Sequence, residues 1–571
     1  MISKRSMSIP GVVAFVLLLA PAGLRASDTL LVHGHIYTGN SKAAWAQAIA
    51  ITGGRIDAVG SDDEILAHKQ EKTEVIDLHG RTVIPGISDS HTHMWFGAME
   101  LHGFNLSTPE ASITADNPDL LVAKIKAYAA SHPADKWLIG RADFGTVPPA
   151  TPTREILDRA VPDRPIVIHH TSEHALWVNG KALALAGITS DPVADPAEER
   201  NIIRDASGHP NGILLEAAME LVERAVFSSV PRDEKLALLR DASQYLNRFG
   251  ITSVVNATGS LAEIELYAAL RDRGELTVRT RNAFGAVAVN HHLTPEFLSD
   301  LDTARSKYHD DWVSANLVKF FADGGSGMAP PLTYEHSEYK KLVMELDKRG
   351  YQIMTHALRG DSAHMVLNTY EEVEKTNGPR DRRFRMEHGE IFPTEDLPRF
   401  GKLSVLVSTQ PSFCCTDVGA NFDPLDKTPT DRWTSLLQNG AALAFGSDWP
   451  CTFPPDPFVG IEQVVRRQEW KSATASATIG GIFDGAGQGG AVPTLSSYTA
   501  EERLSVEQAI HAYTMGSAYA RFSENTLGSL EAGKFADLAV LSQDVFSVAA
   551  DRIADTHVVM TMVGGKVVFK Q

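Results

Sequence analysis

Between residues 250 and 448 the chain repeats one pattern: a short apolar, β-branched run, a helical stretch, then another run. The runs fall at residues 250–256, 278–284, 315–323, 351–356, 384–388, 403–410 and 441–448. Helical segments separate most of them, for example residues 339–349, with Gly350 as the stop. Each helical crossover returns the chain in the same direction, so such strands build a parallel sheet. The run that leads into His91 brings the count to eight. Eight units suit an α/β fold of the closed (β/α)8 TIM-like barrel type, with an open doubly wound sheet as the alternative.

The two ends of the chain read differently. Residues 29–38, 46–59 and 73–78 alternate as strands, with Gly53-Gly54 as a turn. Residues 536–541 and 558–568 do the same around Gly564-Gly565. Neither set is long enough to make a stable sheet alone. The termini are therefore predicted to meet in one small β-sandwich, residues 27–84 with 526–571, beside a barrel spanning 85–525. Two stretches exceed any single crossover. Residues from about 97 to 240 must hold an inserted lid subdomain. Residues 472–497, rich in Gly, Ala, Ser and Thr, read as a long loop.

Residues 1–26 carry Lys4 and Arg5, an apolar run over 9–20 and small residues up to Ala26. That is the pattern of a signal peptide, although Leu24 is a poor −3 residue for a cut after Ala26. The run is short for a bilayer span. The expectation is a periplasmic or secreted protein with no stable membrane insertion after processing. A formal charge of −18 leaves no basic footprint for nucleic acid or for an anionic membrane. Three cysteines, Cys414, Cys415 and Cys451, exclude a disulfide scaffold. A vicinal bridge is strained, so buried free thiols are expected, with a bridge from either to Cys451 as the only alternative pairing.

Chemistry concentrates at the C-terminal ends of the predicted strands. His91-Thr92-His93 ends the first. Alternate residues of a strand face one side, so both imidazoles can address one ion, and imidazole is the commonest ligand of zinc-like metals. Lys319 lies among Val318, Phe320 and Phe321; the next strands end in His356, in Glu387-His388 and in Ser447-Asp448. A buried ammonium is costly unless paired or neutralised. Reaction with CO2 would turn Lys319 into a carbamate able to bridge two metals; a salt bridge to Asp323 is the alternative. Trp95, Phe96, Trp177, Phe413 and Trp449 are candidates for an aromatic pocket wall, which would suit an N-aryl or N-arylalkyl amide, or else they are core.

Several of these residues sit in longer motifs. They are Pro85-Gly86 through His93, His174-Ala-Leu-Trp177-Val-Asn179, Val318-Lys319 through Asp323-Gly324, Glu387-His388, and Gly446-Ser447-Asp448 with Asp456-Pro457. The tail adds Gly528-Ser529-Leu530-Glu531-Ala-Gly533-Lys534-Phe-Ala-Asp537. In these motifs the chain resembles the amidohydrolase superfamily, in particular the amidohydrolase-3 branch of YtcJ-like proteins and N-substituted formamide deformylases. The resemblance implies a divalent metal, in the first place zinc, as one or two ions. It implies that His91, His93 and Asp448 hold one ion, that His356 and His388 hold a second, and that carbamylated Lys319 bridges them.

It further implies attack of metal-bound hydroxide on an N-acyl, N-formyl or cyclic amide, a small-molecule substrate. Asp448 would move the proton and His174 would hydrogen-bond the substrate or its oxyanion. Where relatives read His-Ala-Ile-Gly-Asp, this chain has His356-Ala-Leu-Arg359-Gly360-Asp361. The extra residue is expected to reshape the pocket rim and to make Arg359 a substrate contact, with Trp95 and Trp177. Three rivals stand beside this reading: a binding or regulatory protein on the same barrel, a related lactonase or deaminase, and a carbohydrate-active barrel using paired carboxylates such as Glu387. A homodimer is one assembly the sequence leaves open.

Overall fold

Eight parallel strands follow one another around a single sheet in chain order: β1 (Ile87–Thr92), β2 (Ile251–Gly259), β3 (Arg279–Gly285), β4 (Val313–Phe321), β5 (Gln352–Ala357), β6 (Arg385–His388), β7 (Leu406–Thr409) and β8 (Ala442–Phe445). The computed structural model describes residues 27–106, 118–145, 152–285, 293–324, 333–414, 430–467 and 500–571. Just beyond their ends, β1 and β8 meet. Thr92 bridges Trp449 in the parallel sense, Asp448 N–H donates to His91 O at 2.7 Å, and His93 N–H donates to Trp449 O at 2.7 Å. The sheet is thereby drawn into a nearly closed barrel rather than a doubly wound sheet.

Strands β1, β5, β6 and β7 are buried along their whole length. One face fills the barrel and the other takes helices, which is why these strands read as unbroken runs rather than as alternations. The outer helices carry the complementary stripe. In His336–Lys348 the buried residues Tyr339, Leu342, Val343 and Leu346 follow helical spacing, and Gly350 at φ 85° turns the chain back.

Helix α1 (Met94–Leu101) leaves β1 and opens the long excursion before β2. This excursion carries its own six-stranded sheet, with Leu138–Ala142, Ile166–His170 and Ala175–Val178 at its centre. Its helix α2 (Met219–Ser229) then lies along the mouth of the barrel, and Arg232–Asn247 leads back to β2. The sheet has its own core of Leu138, Ile166, Ile168, Trp177, Ile213 and Leu215.

The chain ends share sheets. Leu538–Leu541 pairs antiparallel with Thr82–Pro85 in a six-stranded sheet, and a four-stranded sheet contains Thr29–Val32 and Ala48–Thr52. Leu31, Ile49 and Ile51 from the smaller sheet pack with Val83, Leu538 and Met562 from the larger one. The two sheets are therefore faces of one apolar core. The residues of the leader and of the stretch 472–497 lie outside the described residues. No helix among the described residues is long and apolar enough to cross a membrane.

The cysteines depart from expectation. Cys414 is disulfide-bonded while Cys451 is a buried free thiol, so the two are not joined. The remaining cysteine, Cys415, lies outside the described residues.

Candidate active site

Barrel closure itself assembles the centre of the site. The backbone bonds between His91 and Asp448 hold β1 against the end of β8, and this approach requires a glycine. A Cβ on Gly446 would stand 2.6 Å from His91 N and 2.8 Å from Asp89 Oδ1. Asp448 and His388 both leave their strands with positive φ, 55° and 67°. Left-handed backbone at non-glycine residues costs on the order of 1–3 kcal/mol and persists where surrounding structure enforces it, often at functional positions.

Within this frame the side chains converge. His93 Nε2 lies 3.1 Å and His91 Nε2 3.4 Å from Asp448 Oδ1. Lys319 Nζ stands 3.3 Å from His91 Nε2. The His356 and His388 rings are 4.4 Å apart, and His388 is 5.1 Å from His91. His174, from the inserted sheet, meets His356 edge-on at 5.4 Å. All seven residues line one cavity of about 490 Å³.

Each imidazole is held by its Nδ1 atom. His91 Nδ1 meets Glu387 Oε2 at 2.6 Å, and His93 Nδ1 meets Thr258 Oγ1 at 2.8 Å. His356 is tied to Asp323 Oδ1 at 2.7 Å, His388 to Gln410 Oε1 at 2.8 Å, and His174 to Glu216 Oε2 at 2.9 Å. The oxygen acceptors at Nδ1 of His91, His174, His356 and His388 fix those tautomers and direct Nε2 inward, as metal-binding histidines are oriented, while the Thr258 hydroxyl holds the His93 ring in place as either donor or acceptor. Asp323 also accepts the backbone N–H groups of Leu358 and Arg359 and the hydroxyl of Ser362. It is therefore the orienting partner of His356, not the counter-ion of Lys319.

The electrostatics favour neutral imidazoles around an ionised carboxylate. Burial, aided by the Lys319 charge, pushes His91 down to about 4. Burial likewise lowers His93, and lowers His356 and His388 far below the ordinary histidine range. Burial alone would raise Asp448, but His91, His93 and His388 hold it well below the usual carboxylate range. Burial draws Lys319 down to about 8 against the pull of Glu387 and Asp448. Asp448 Oδ1 and His356 Nε2 are buried and accept no hydrogen bond. Lys319 Nζ is the donor beside His91 Nε2, while the Asp448 oxygen and the His356 nitrogen face the cavity with no hydrogen bond. His91, His93 and Asp448 form a donor set compact enough for one ion, and the residues present fit a divalent metal.

Not every predicted contact reaches the cavity. Trp95 and Phe96 line it. Trp177 does not: it is fully buried in the inserted sheet's own core, its indole N–H donated to Thr153 O at 3.1 Å. Phe413 and Trp449 are likewise absent from the described lining, and Trp449 is fully buried against α1. Arg359 is also outside it. Its backbone sits at the start of Gly360–Asn377 and its guanidinium turns to Asp361. The inserted residue gives the helix its entry and leaves the cavity to others.

Sequence reading missed those others. Glu216, Glu220, Glu223 and Phe227 all line the cavity from α2 and the turn before it. Their spacing of four, three and four is a helical stripe, the one signal that could have found them. Glu387, considered above as a catalytic acid, is instead wedged between His91 and Arg385.

A barrel of this topology with histidines, a lysine and an aspartate at its strand ends defines a class of barrel hydrolases, and the comparisons place the chain within it. The chain belongs to the Amidohydrolase family, whose Amidohydro_3 model matches residues 74–569. It is 29% identical to Protein LONG AFTER FAR-RED 3 of Arabidopsis thaliana, over 96% of this chain and 92% of that protein. It is 26% identical to the N-substituted formamide deformylase of Arthrobacter pascens, over 94% of this chain and 97% of that enzyme. Among solved structures it is similar to an uncharacterized metal-dependent hydrolase from Pyrococcus horikoshii, with a TM-score of 0.69 and 20% identity over 92% of this chain and 99% of the other. The protein is an amidohydrolase-family hydrolase.

Proposed function

We propose that the protein is a metal-dependent amidohydrolase that cleaves the C–N bond of an N-acyl, N-formyl or cyclic amide. The observation that carries this reading is the convergence of His91 Nε2, His93 Nε2 and Asp448 Oδ1 into a group compact enough for one ion, with Asp448 Oδ1 buried and accepting no hydrogen bond. A divalent cation there would satisfy all three ligand atoms at once. In this reading His91, His93 and Asp448 would hold one ion and His356 and His388 a second, with Lys319, as a carbamate, supplying an anionic oxygen ligand. The fall of the Lys319 pKa to about 8 favours the free amine that CO2 requires. A divalent ion such as zinc supplies Lewis acidity there, lowering the pKa of water to about 7 and polarising a carbonyl.

The chain's own groups do the rest. Asp448 stays ionised among its histidines, so Oδ1 can take a proton from water and return it to the departing nitrogen. His174, whose Nδ1 meets Glu216, would hydrogen-bond the substrate's carbonyl oxygen as charge develops on it. Trp95 and Phe96 offer the scissile group an apolar approach that keeps bulk water away. We also propose export, on the charged, apolar and small-residue order of residues 1–26.

The test is metal content by plasma mass spectrometry on protein purified without chelator and with bicarbonate present, followed by turnover of N-formyl, N-acyl and cyclic amides, lactones and aminated heterocycles. Bound metal with amide turnover that chelator abolishes supports the reading. Protein that takes up no zinc, manganese or iron on reconstitution sinks it. Export is tested by the N-terminal residue of the mature protein, expected at Ser27.

A further inference from the structure

The N-terminal end of the barrel, opposite the histidines, is plugged by the short helix Ser517–Ala520 and the residues that follow it. Ala520 packs on Leu406 of β7 and Ala444 of β8, and Gln352 at the start of β5 donates to Ala520 O at 3.0 Å. Arginines gather around this plug. Arg279 and Arg281 come from β3, Arg383 precedes β6, and Arg521 follows the helix. Arg279 has a counter-ion, donating to Asp537 through Nε at 2.8 Å and through Nη2 at 3.1 Å. Arg383 has one as well, with two nitrogens on Glu524 at 2.9 and 2.8 Å.

Arg281 and Arg521 have none. They are 6% and 4% exposed, and their acceptors among the described residues are neutral. Arg281 donates through Nη1 to Arg521 O at 3.1 Å and through Nη2 to Gln352 Oε1 at 2.9 Å; Arg521 donates through Nη1 to Arg279 O at 3.4 Å. The Nε atom of each is buried with no acceptor. Asp537 is already engaged by Arg279 and by the Gly564 N–H at 2.7 Å. The Phe522 ring lies 5.5 Å from the Arg281 guanidinium but is shared with Arg383 at 4.2 Å, and a ring face is a weaker partner than an anion.

Two neighbouring guanidiniums out of water repel each other through a medium that screens poorly. Burial first, then the adjacent arginines, draw both down to about 9, Arg521 against the pull of Asp537. Arginine stays protonated even so, and each buried Nε–H still lacks an acceptor. A compact monovalent ion can accept from both at once. A tetrahedral oxyanion would bring more acceptors than two N–H groups can match.

We infer that Arg281 and Arg521 form a structural site for one small anion of the halide class, held by their Nε–H groups at the closed end of the barrel. Residues at this end of such barrels serve stability rather than chemistry. The site is therefore independent of the amidohydrolase reading.

The test is thermal unfolding of the full-length protein, metal-loaded and chelator-treated, with chloride exchanged against gluconate at constant ionic strength. Chloride is expected to raise the midpoint of both forms in a saturable way. The unfolding equilibrium constant should fall about tenfold by about 0.1 M chloride, as binding to the folded state alone requires. That dependence should vanish in Arg281→Met and in Arg521→Met. Bromide-soaked crystals of the unaltered protein should give an anomalous peak between the two Nε atoms, and this measurement decides alone if either variant fails to fold. Absence of that peak would overturn the proposal. So would a midpoint that ignores chloride, a dependence that survives both substitutions, or one confined to the metal-loaded form, which would put the anion on the metal.

Discussion

Glu387 is the residue whose loss tests the geometry most directly. It has no exposed side-chain surface and is held on two sides. Arg385 donates through Nε to Oε1 at 2.7 Å and through Nη2 to Oε2 at 2.8 Å, and His91 Nδ1 reaches Oε2 at 2.6 Å. Burial opposes its ionisation, yet Arg385 and His91 hold it below the usual carboxylate range. In Glu387→Gln the charge disappears, and an amide with one acceptor oxygen faces three donors. At least one contact then sets donor against donor, and the buried Arg385 guanidinium loses its counter-ion.

Breaking a buried pair from one side costs about 3–5 kcal/mol. Removing the partner that orients a ligating histidine lowers metal affinity by about 10–100-fold. The double variant Arg385→Met/Glu387→Gln removes the stranded charge as well. It is expected to recover much of the stability. It should recover metal affinity only in part, because an amide oxygen polarises the His91 ring less than a carboxylate. Urea unfolding of the apoprotein reads the first quantity, and chelator competition reads the second. A single variant that loses less than about 1 kcal/mol and binds metal as tightly as the parent would refute the role assigned to Glu387.

Three further outcomes are expected. Lys319→Ala should lower the metal content per chain and abolish incorporation of isotope-labelled bicarbonate, read by plasma mass spectrometry and carbon NMR; unchanged values for both would remove the carbamate. Gly446→Ala places a Cβ 2.6 Å from His91 N, so β1 or β8 must shift. Overpacking of this kind costs about 1–3 kcal/mol, and the displaced His91 and Asp448 should lose metal, both measurable by melting and chelator titration. Glu100 is raised by burial from the ordinary 4.5 to about 8. Between those values the folded chain holds a proton that the unfolded chain has released, so stability falls as pH rises, by up to about 1.4 kcal/mol per pH unit for one group. Glu100→Gln should flatten that slope between about pH 4.5 and 8 in urea midpoints taken across the range; an unaltered slope would show that Glu100 is ionised in the folded protein.

Much of the architecture was legible in the sequence because parallel strands announce themselves. A strand buried on both faces must be apolar throughout, and its polar residues collect where it emerges. Hence His91, Lys319, His356, His388 and Asp448 could be placed at strand ends from the sequence, and the structure brings them around one cavity. Family motifs added His174 in the same way. Local pattern determined these positions because each depends only on where its own strand stops.

What the sequence could not decide were relations between distant segments. Trp177 and Trp95 look alike as isolated aromatics, but one completes the core of the inserted sheet and the other faces the cavity. Arg359 follows a strand end closely, yet helix entry and Asp361 draw it away from the site. The pairing of His91 with Glu387 joins residues 296 positions apart, and that of His174 with Glu216 depends on how the inserted sheet meets α2. Pairings of this kind are set by closure of the barrel and by packing of the insertion over it. Tertiary structure alone turned Glu387 from a candidate acid into the anchor of a histidine, and a stripe of glutamates on α2 into a wall of the cavity.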